Sequence, residues 1–209
     1  MLICGVGGQG NLLLERIIGL SAVRAGLPVK AADTFGAAQR GGSVLSHLRI
    51  GTEVVSSLVA QRSCHLLVGL EPGEALKVAE EYLAPEGLGI VNTAPILPAR
   101  VKAGLNTYPA VAEIMAALER VAGRIVSLEA TALARKTAGT PRAMNMVMLG
   151  VLAGLEQLPI ATELLEQIIQ ETTGRLAEGN LRAFRAGREV GEKKKPELGV
   201  PPVWRWADA

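Results

Sequence analysis

The chain has 209 residues, carries 22 Lys and Arg against 20 Asp and Glu for a net charge of +2, and is 49% hydrophobic but only 3% aromatic. That length supports one domain with a substantial core, built from Ala, Val, Leu and Ile rather than from rings. The longest uncharged apolar stretch with helical character, residues 143–155, is too short to cross a bilayer; the near-neutral charge gives nucleic acid no footing; and two cysteines, Cys4 and Cys64, with no CxxC spacing exclude an iron–sulfur or zinc site made by this chain.

Residues 1–4 read as a short apolar strand, 5–10 as a turn, and 11–25 as a helix with Leu13, Ile17 and Leu20 on one side, closed by Gly26. A second strand is expected over 27–32. Residues 43–50 alternate, with Val44, Leu48 and Ile50 on one face and His47 on the other. Gly51-Thr52 before Glu53-Val54-Val55 suggests a hairpin, so the sheet should be mixed. A strand at 65–70, a helix opening at Pro72, a strand near 89–92, a helix over 112–121 and a strand at 125–128 follow.

Beyond Thr131 no strand pattern recurs, and 142–156, 162–172 and 175–187 read as helices. The expected fold class is α/β: a Rossmann-like three-layer domain over residues 1–188, with a mostly parallel, partly mixed sheet and a helical C-terminal third. From Arg188 onward the chain reads as an extended tail, 189–209, holding Lys193-Lys194-Lys195, Pro196, Pro201-Pro202, Trp204 and Trp206. No basic leader precedes an apolar stretch at the start, and the sparse cysteines suit a reducing cytoplasm.

Two segments carry chemistry. Gly5-Val6-Gly7-Gly8-Gln9-Gly10 fits GxGxxG between a strand and a helix, where glycines let backbone approach a phosphate at a helix N-terminus. Asp33 follows at the spacing of a ribose-binding acid. Equally, the glycines could serve only a tight turn and close helix–strand packing. The second segment is the long connection Asp33-Thr34-Phe35-Gly36-Ala37-Ala38-Gln39-Arg40-Gly41-Gly42-Ser43. Gly41-Gly42 can form an anion nest, and Arg40 can clamp a phosphate, a carboxylate or a partner's acidic side chain. If the sheet is parallel here, both segments share one edge at the carboxyl ends of adjacent strands.

Other polar residues read as structural. His47 and His65 fit strand positions rather than a catalytic pattern. Met144, Met146 and Met148 are packing residues on an apolar helix. Asn145, on the same helix, stands out because an amide there needs a hydrogen-bond partner.

The glycine motif, followed by Gln39-Arg40-Gly41-Gly42-Ser43-Val44 and His47, resembles the gamma-type subunit of 2-oxoacid:ferredoxin oxidoreductases. Val91-Asn92-Thr93-Ala94-Pro95-Ile96, Tyr108-Pro109, Pro141-Arg142 and Asn145-Met146-Val147-Met148-Leu149-Gly150 are most similar to the beta subunits of its indolepyruvate branch. The resemblance covers about residues 2 to 188. It implies an enzyme that oxidatively decarboxylates an aryl pyruvate with coenzyme A as co-substrate and ferredoxin as electron acceptor. Thiamine diphosphate, Mg and iron–sulfur clusters would then belong to a large alpha subunit, with which this chain forms a hetero-oligomer.

By the same resemblance Gly5, Gly7, Gly8, Gln9, Gly10 and Asn11, with Thr34, Gln39, Arg40, Gly41, Gly42 and Ser43, face a ligand or that partner. No residue of this chain is catalytic or binds a metal in this reading, and neither nucleic acid nor membrane is a partner. The tail after Arg188 is expected to dock on the large subunit. Two readings of other classes stay open from the residues alone. One is a self-sufficient NAD-binding oxidoreductase using residues 5–10 and Asp33; the other is a ligand-binding module without catalysis.

Overall fold

The structure, a computed structural model, describes residues 1–35, 42–51 and 56–198, with backbone alone at 35, 99, 100 and 196–198. Six strands form one sheet: β1 (Leu2–Val6), β2 (Val29–Phe35), β3 (Ser43–Ile50), β4 (Cys64–Gly69), β5 (Leu83–Asn92) and β6 (Arg124–Leu128). Their order is β2-β3-β1-β4-β5-β6. β1, β4, β5 and β6 pair in parallel, while β3 lies antiparallel to both β1 and β2. The mixed sheet expected from the sequence is present, but its antiparallel member is β3 inserted between β1 and β2. Glu53-Val54-Val55, the expected return of a hairpin, lies outside the described residues.

Alternation along the strands sorts the side chains onto two apolar faces. Ile3, Leu48, Val68, Ile90 and Val126 meet α1 (Asn11–Arg24), α5 (Ala130–Ala138), α6 (Met144–Gly154), α7 (Thr162–Thr173) and α8 (Ala177–Leu198). Leu2, Cys4, Leu67 and Val91 meet α2 (Pro72–Tyr82) and α4 (Val111–Val121). A short helix, α3 (Ala99–Lys102), lies between β5 and α4 in the chain. This is the three-layer arrangement anticipated above.

The helical third departs from expectation in two places. α5 went unread because its buried face is only Ala130 and Ala134, too small to register as an apolar period. The second departure is α8, which continues past Arg188 to Leu198, so the first part of the expected extended tail is helix. The reason lies in paired small residues. Gly150 and Gly154 on α6 oppose Gly187 and Gly191 on α8, and a Cβ at any of the four would collide with backbone of the facing helix. Two G-x-x-x-G faces thus let the helices run side by side at backbone contact, and Lys195 reaches Glu156 past the end of α6 at 2.5 Å. Residues 199–209, including both tryptophans, lie outside the described residues.

Among the described residues no helix is long and apolar enough to cross a membrane.

Candidate functional site at the carboxyl edge of the sheet

β1 ends at Val6, and the turn over residues 7–10 leads into α1. Gly7 donates its N–H to the Gly42 carbonyl at 2.9 Å, and Val6 pairs with Ser43. The glycine turn and the returning end of the β2–β3 connection are therefore side by side on one edge, as expected. They meet through β3, however, and not through adjacent parallel strands.

Gln9 holds the turn from below. Its Oε1 accepts the Val6 N–H at 2.7 Å, and its Nε2 donates to the Leu70 carbonyl at 2.8 Å at the end of β4. Gly5 is glycine because a Cβ would sit 2.6 Å from that Oε1. Gly10 adopts the left-handed region, with φ 86 and ψ 29, as the N-cap of α1, and a Cβ there would strike the Asn145 amide. Gly8, at φ 100, is exposed, and a Cβ on it would meet nothing within 4 Å among the described residues. There the turn presents bare backbone outward.

Asn11 is 3% exposed. Its Nδ2 donates to the Val44 carbonyl at 3.4 Å, and its Oδ1 has no hydrogen-bond partner among the described residues. Thr34 donates to the Leu45 carbonyl at 3.1 Å, and Ser43 donates to Glu74 at 2.5 Å. Below Ser43 a cleft of about 280 Å³ opens between β2, β3 and α2, lined by Thr34, Leu45, Glu74, Lys77 and Tyr82 among others. Gln39, Arg40 and Gly41 lie outside the described residues. Of the expected site residues, then, Gly5, Gly7, Gly8, Gln9, Gly10, Asn11, Thr34, Gly42 and Ser43 gather at one edge.

The dinucleotide reading fails on this geometry. A pyrophosphate would occupy the crevice at the carboxyl ends where the strand order reverses, between β1 and β4, and the Gln9 side chain bridges that crevice. Asp33 stands two strands from β1, roughly 10 Å across the sheet, and its carboxylate accepts the Ser46 hydroxyl at 2.5 Å. With β3 inserted, the acid that spacing assigned to a ribose is remote from the glycine turn.

Glu71, which the sequence reading passed over, and Tyr108 and Asn92, which it quoted only for the resemblance, complete the edge. Glu71, 2% exposed, caps α2 by accepting the Glu74 N–H at 2.8 Å. Its other oxygen accepts the Tyr108 hydroxyl at 2.5 Å and the Ile96 N–H at 3.4 Å. Burial and the Glu71 carboxylate push the Tyr108 phenol far above its ordinary pKa, so it stays a donor. Asn92, fully buried, donates to the Leu70 carbonyl at 3.0 Å and to the Thr131 hydroxyl at 3.0 Å. The one sequence signal for Glu71 was its place before Pro72, a favoured first helical residue.

His47 is 3% exposed and accepts the Val59 N–H on Nδ1 at 3.0 Å, with Tyr82 edge-on at 5.8 Å. Burial lowers its pKa, which keeps the ring neutral and structural, in agreement with its reading from sequence.

Residues 1–190 match the family described as pyruvate ferredoxin/flavodoxin oxidoreductase. The chain belongs to that family. It is 40% identical over 94% of its length to indolepyruvate oxidoreductase subunit IorB of Archaeoglobus fulgidus, covering 96% of that protein. It is 38% identical over 88% of its length to the protein of the same name from Methanothermobacter thermautotrophicus, covering 93% of it. Among solved structures, the keto/oxoacid ferredoxin oxidoreductase gamma subunit of Geobacter sulfurreducens shares the fold, with a TM-score of 0.67 at 20% identity over 92% of this chain and 97% of that one. The same fold makes up 30% of a longer chain in a 2-oxoglutarate:ferredoxin oxidoreductase from Magnetococcus marinus, with a TM-score of 0.68 at 21% identity over 92% of this chain. As a member of the family, the chain is a subunit of a 2-oxoacid ferredoxin oxidoreductase.

Proposed function

We propose that this subunit serves an indolepyruvate or related aryl-pyruvate ferredoxin oxidoreductase, presenting its carboxyl edge to the active site of a large alpha subunit. The observation that carries the reading is the similarity to the IorB subunits over 94% and 88% of this chain, supported by the Gly42-Ser43 end of the second segment lying beside the glycine turn. The assembled enzyme decarboxylates the 2-oxoacid oxidatively, passes the electrons to ferredoxin and releases an aryl-acetyl-CoA. Thiamine diphosphate, Mg and the iron–sulfur clusters are assigned to the large subunit.

The cysteines of this chain do not suit a cluster or metal ligand set. Cys4 on β1 and Cys64 on β4 are the chain's two cysteines, too few to hold an iron–sulfur cluster, and both thiols are buried in the core. Burial raises both thiol pKa values, the reverse of what a cluster or metal ligand needs. Among the described residues no three His, Cys, Asp or Glu side chains stand together as metal ligands. What this chain contributes is backbone and shape. The Gly8 apex and the Gly42-Ser43 strand entry form a wall without bulky side chains, to which coenzyme A, substrate or partner backbone can approach closely.

The test is reconstitution. Anaerobic, indolepyruvate- and CoA-dependent reduction of ferredoxin or a viologen dye should appear when the large subunit and this chain are combined, and not with either alone. Full activity of the large subunit by itself would overturn the proposal.

A further inference from the structure

α6 is buried on every side from Met144 to Leu152, and Asn145 is the polar exception at 3% exposure. An amide in such a helix costs stability unless both its ends are satisfied, and packing alone would be served by Leu or Ala. Here both ends are used. Oδ1 accepts the Met146 N–H at 3.0 Å, and Nδ2 donates to the Gly10 carbonyl at 3.2 Å, across 135 positions of chain.

That carbonyl is no ordinary acceptor. It already takes the Leu14 N–H at 3.0 Å, the first hydrogen bond of α1, and it belongs to the left-handed residue where the turn becomes helix. Asn145 also occupies the space a Gly10 Cβ would need. Gly10 is thus fixed twice by one side chain, in the direction of its carbonyl and in its lack of a side chain. Gln9 fixes the opposite end of the same turn on β1 and β4. α6 itself is set at backbone distance on α8 through Gly150 and Gly154, so the amide projects from a rigid base.

We infer that Asn145 is a positioning residue for the oxidoreductase: acting through Gly10, it sets how the 7–10 turn meets α1 and hence where the Gly8 apex stands relative to the partner's active site. This rests on the reading that the turn faces that site. Asn145→Asp keeps the volume and removes the donor, and it sets a carboxylate against a carbonyl oxygen.

In the complex with the catalytic subunit, Asn145→Asp should assemble and lose about tenfold or more in kcat with little change in KM, because a displaced wall costs orientation rather than ground-state binding. Asn145→Ala and Gly10→Ala should be non-additive, since both disturb one contact. If the Asp variant fails to assemble, hydrogen exchange of the free Asn145→Ala chain decides. Faster exchange confined to residues 8–14 supports the inference, and faster exchange spread evenly over β4 and β5 overturns it.

Gly8→Asn separates the two ways of failing. Asn tolerates positive φ better than other side chains, so at φ 100 the change adds a side chain at the apex with the least strain a non-glycine residue offers. Lost turnover in Gly8→Asn with wild-type kcat and KM in Asn145→Asp would overturn the role of Asn145 alone. Wild-type turnover in Gly8→Asn would remove the reading that the turn faces the site, and the inference with it.

Discussion

The Tyr108 hydroxyl lies 2.5 Å from Oε1 of the buried Glu71, joining the far end of the 93–110 segment to the start of α2. The same hydroxyl accepts the Gly73 N–H at 3.1 Å, and the same Glu71 oxygen takes the Ile96 N–H at 3.4 Å. One phenol and one carboxylate therefore close both ends of a long connection that carries the exposed side chains of Ile96, Leu97 and Leu105. Tyr108→Phe leaves a helix N–H and a buried carboxylate short of a partner, which should cost about 1–3 kcal/mol. The urea midpoint should fall, and proteolysis within 93–110 should accelerate. An unchanged midpoint would show that water or a shifted side chain replaces the phenol.

The room at the Cβ position gives opposite signs for two chemically identical changes, one on α6 and one on α8. Gly150→Ala drives a methyl group into the Phe184 carbonyl of α8 and should destabilise by about 1–3 kcal/mol through overpacking, and by more where the helices cannot part. Gly179, on the same α8, has only ordinary contacts of 3.7 Å and beyond at its Cβ position. Gly179→Ala should therefore stabilise, by about 0.5–1 kcal/mol, because alanine loses less backbone entropy in a helix. Denaturant midpoints of the two variants falling on the same side of the wild type would contradict this account of the helix pair.

Much of this architecture was legible because it rests on local pattern. The strand-turn-helix around residues 5–10, the alternation in β3 that put His47 opposite Leu48, and the need of Asn145 for a partner are all properties of short windows. Strand order is not. Nothing within 43–50 says that β3 would slip between β1 and β2, and that single insertion removed Asp33 from the glycine turn. Helix α5 and the last part of α8 were hidden because their contacts are made by alanine and glycine, which carry little hydrophobic signal and act only against a partner. Glu71 was missed for a related reason: its partners, Ile96 and Tyr108, lie 25 and 37 residues away.

His47 sets a direction for acid sensitivity. Its pKa in the folded chain is lowered by burial, while the unfolded chain carries an ordinary histidine near about 6.5. Between those two values the unfolded state binds more protons, so stability decreases as pH falls below about 6.5, and protonation of Nδ1 removes the acceptor for the Val59 N–H. His65 is lowered by burial as well and adds to the same slope. His47→Gln keeps an acceptor without a titrating group, so the variant should lose less stability than the wild type between pH 7 and pH 5. Parallel urea midpoints for the two proteins over that range would assign the slope to other groups.

Arg40 tests whether the β2–β3 connection serves the site or the fold. It lies in the family signature between Gln39 and Gly41, outside the described residues, and a cation beside two glycines is poorly suited to core packing and well suited to meeting an anion. Arg40→Ala should leave the urea midpoint of the free chain nearly unchanged, within about 0.5 kcal/mol. In the reconstituted enzyme it should lower kcat/KM for the 2-oxoacid or for coenzyme A, and the affected substrate names what the guanidinium meets. A lowered affinity of this chain for the large subunit, with normal kinetics at saturating subunit, would instead assign Arg40 to a partner carboxylate. A stability loss larger than the activity loss would make the loop a structural element, and the candidate site would then contract to the glycine turn around Gly8.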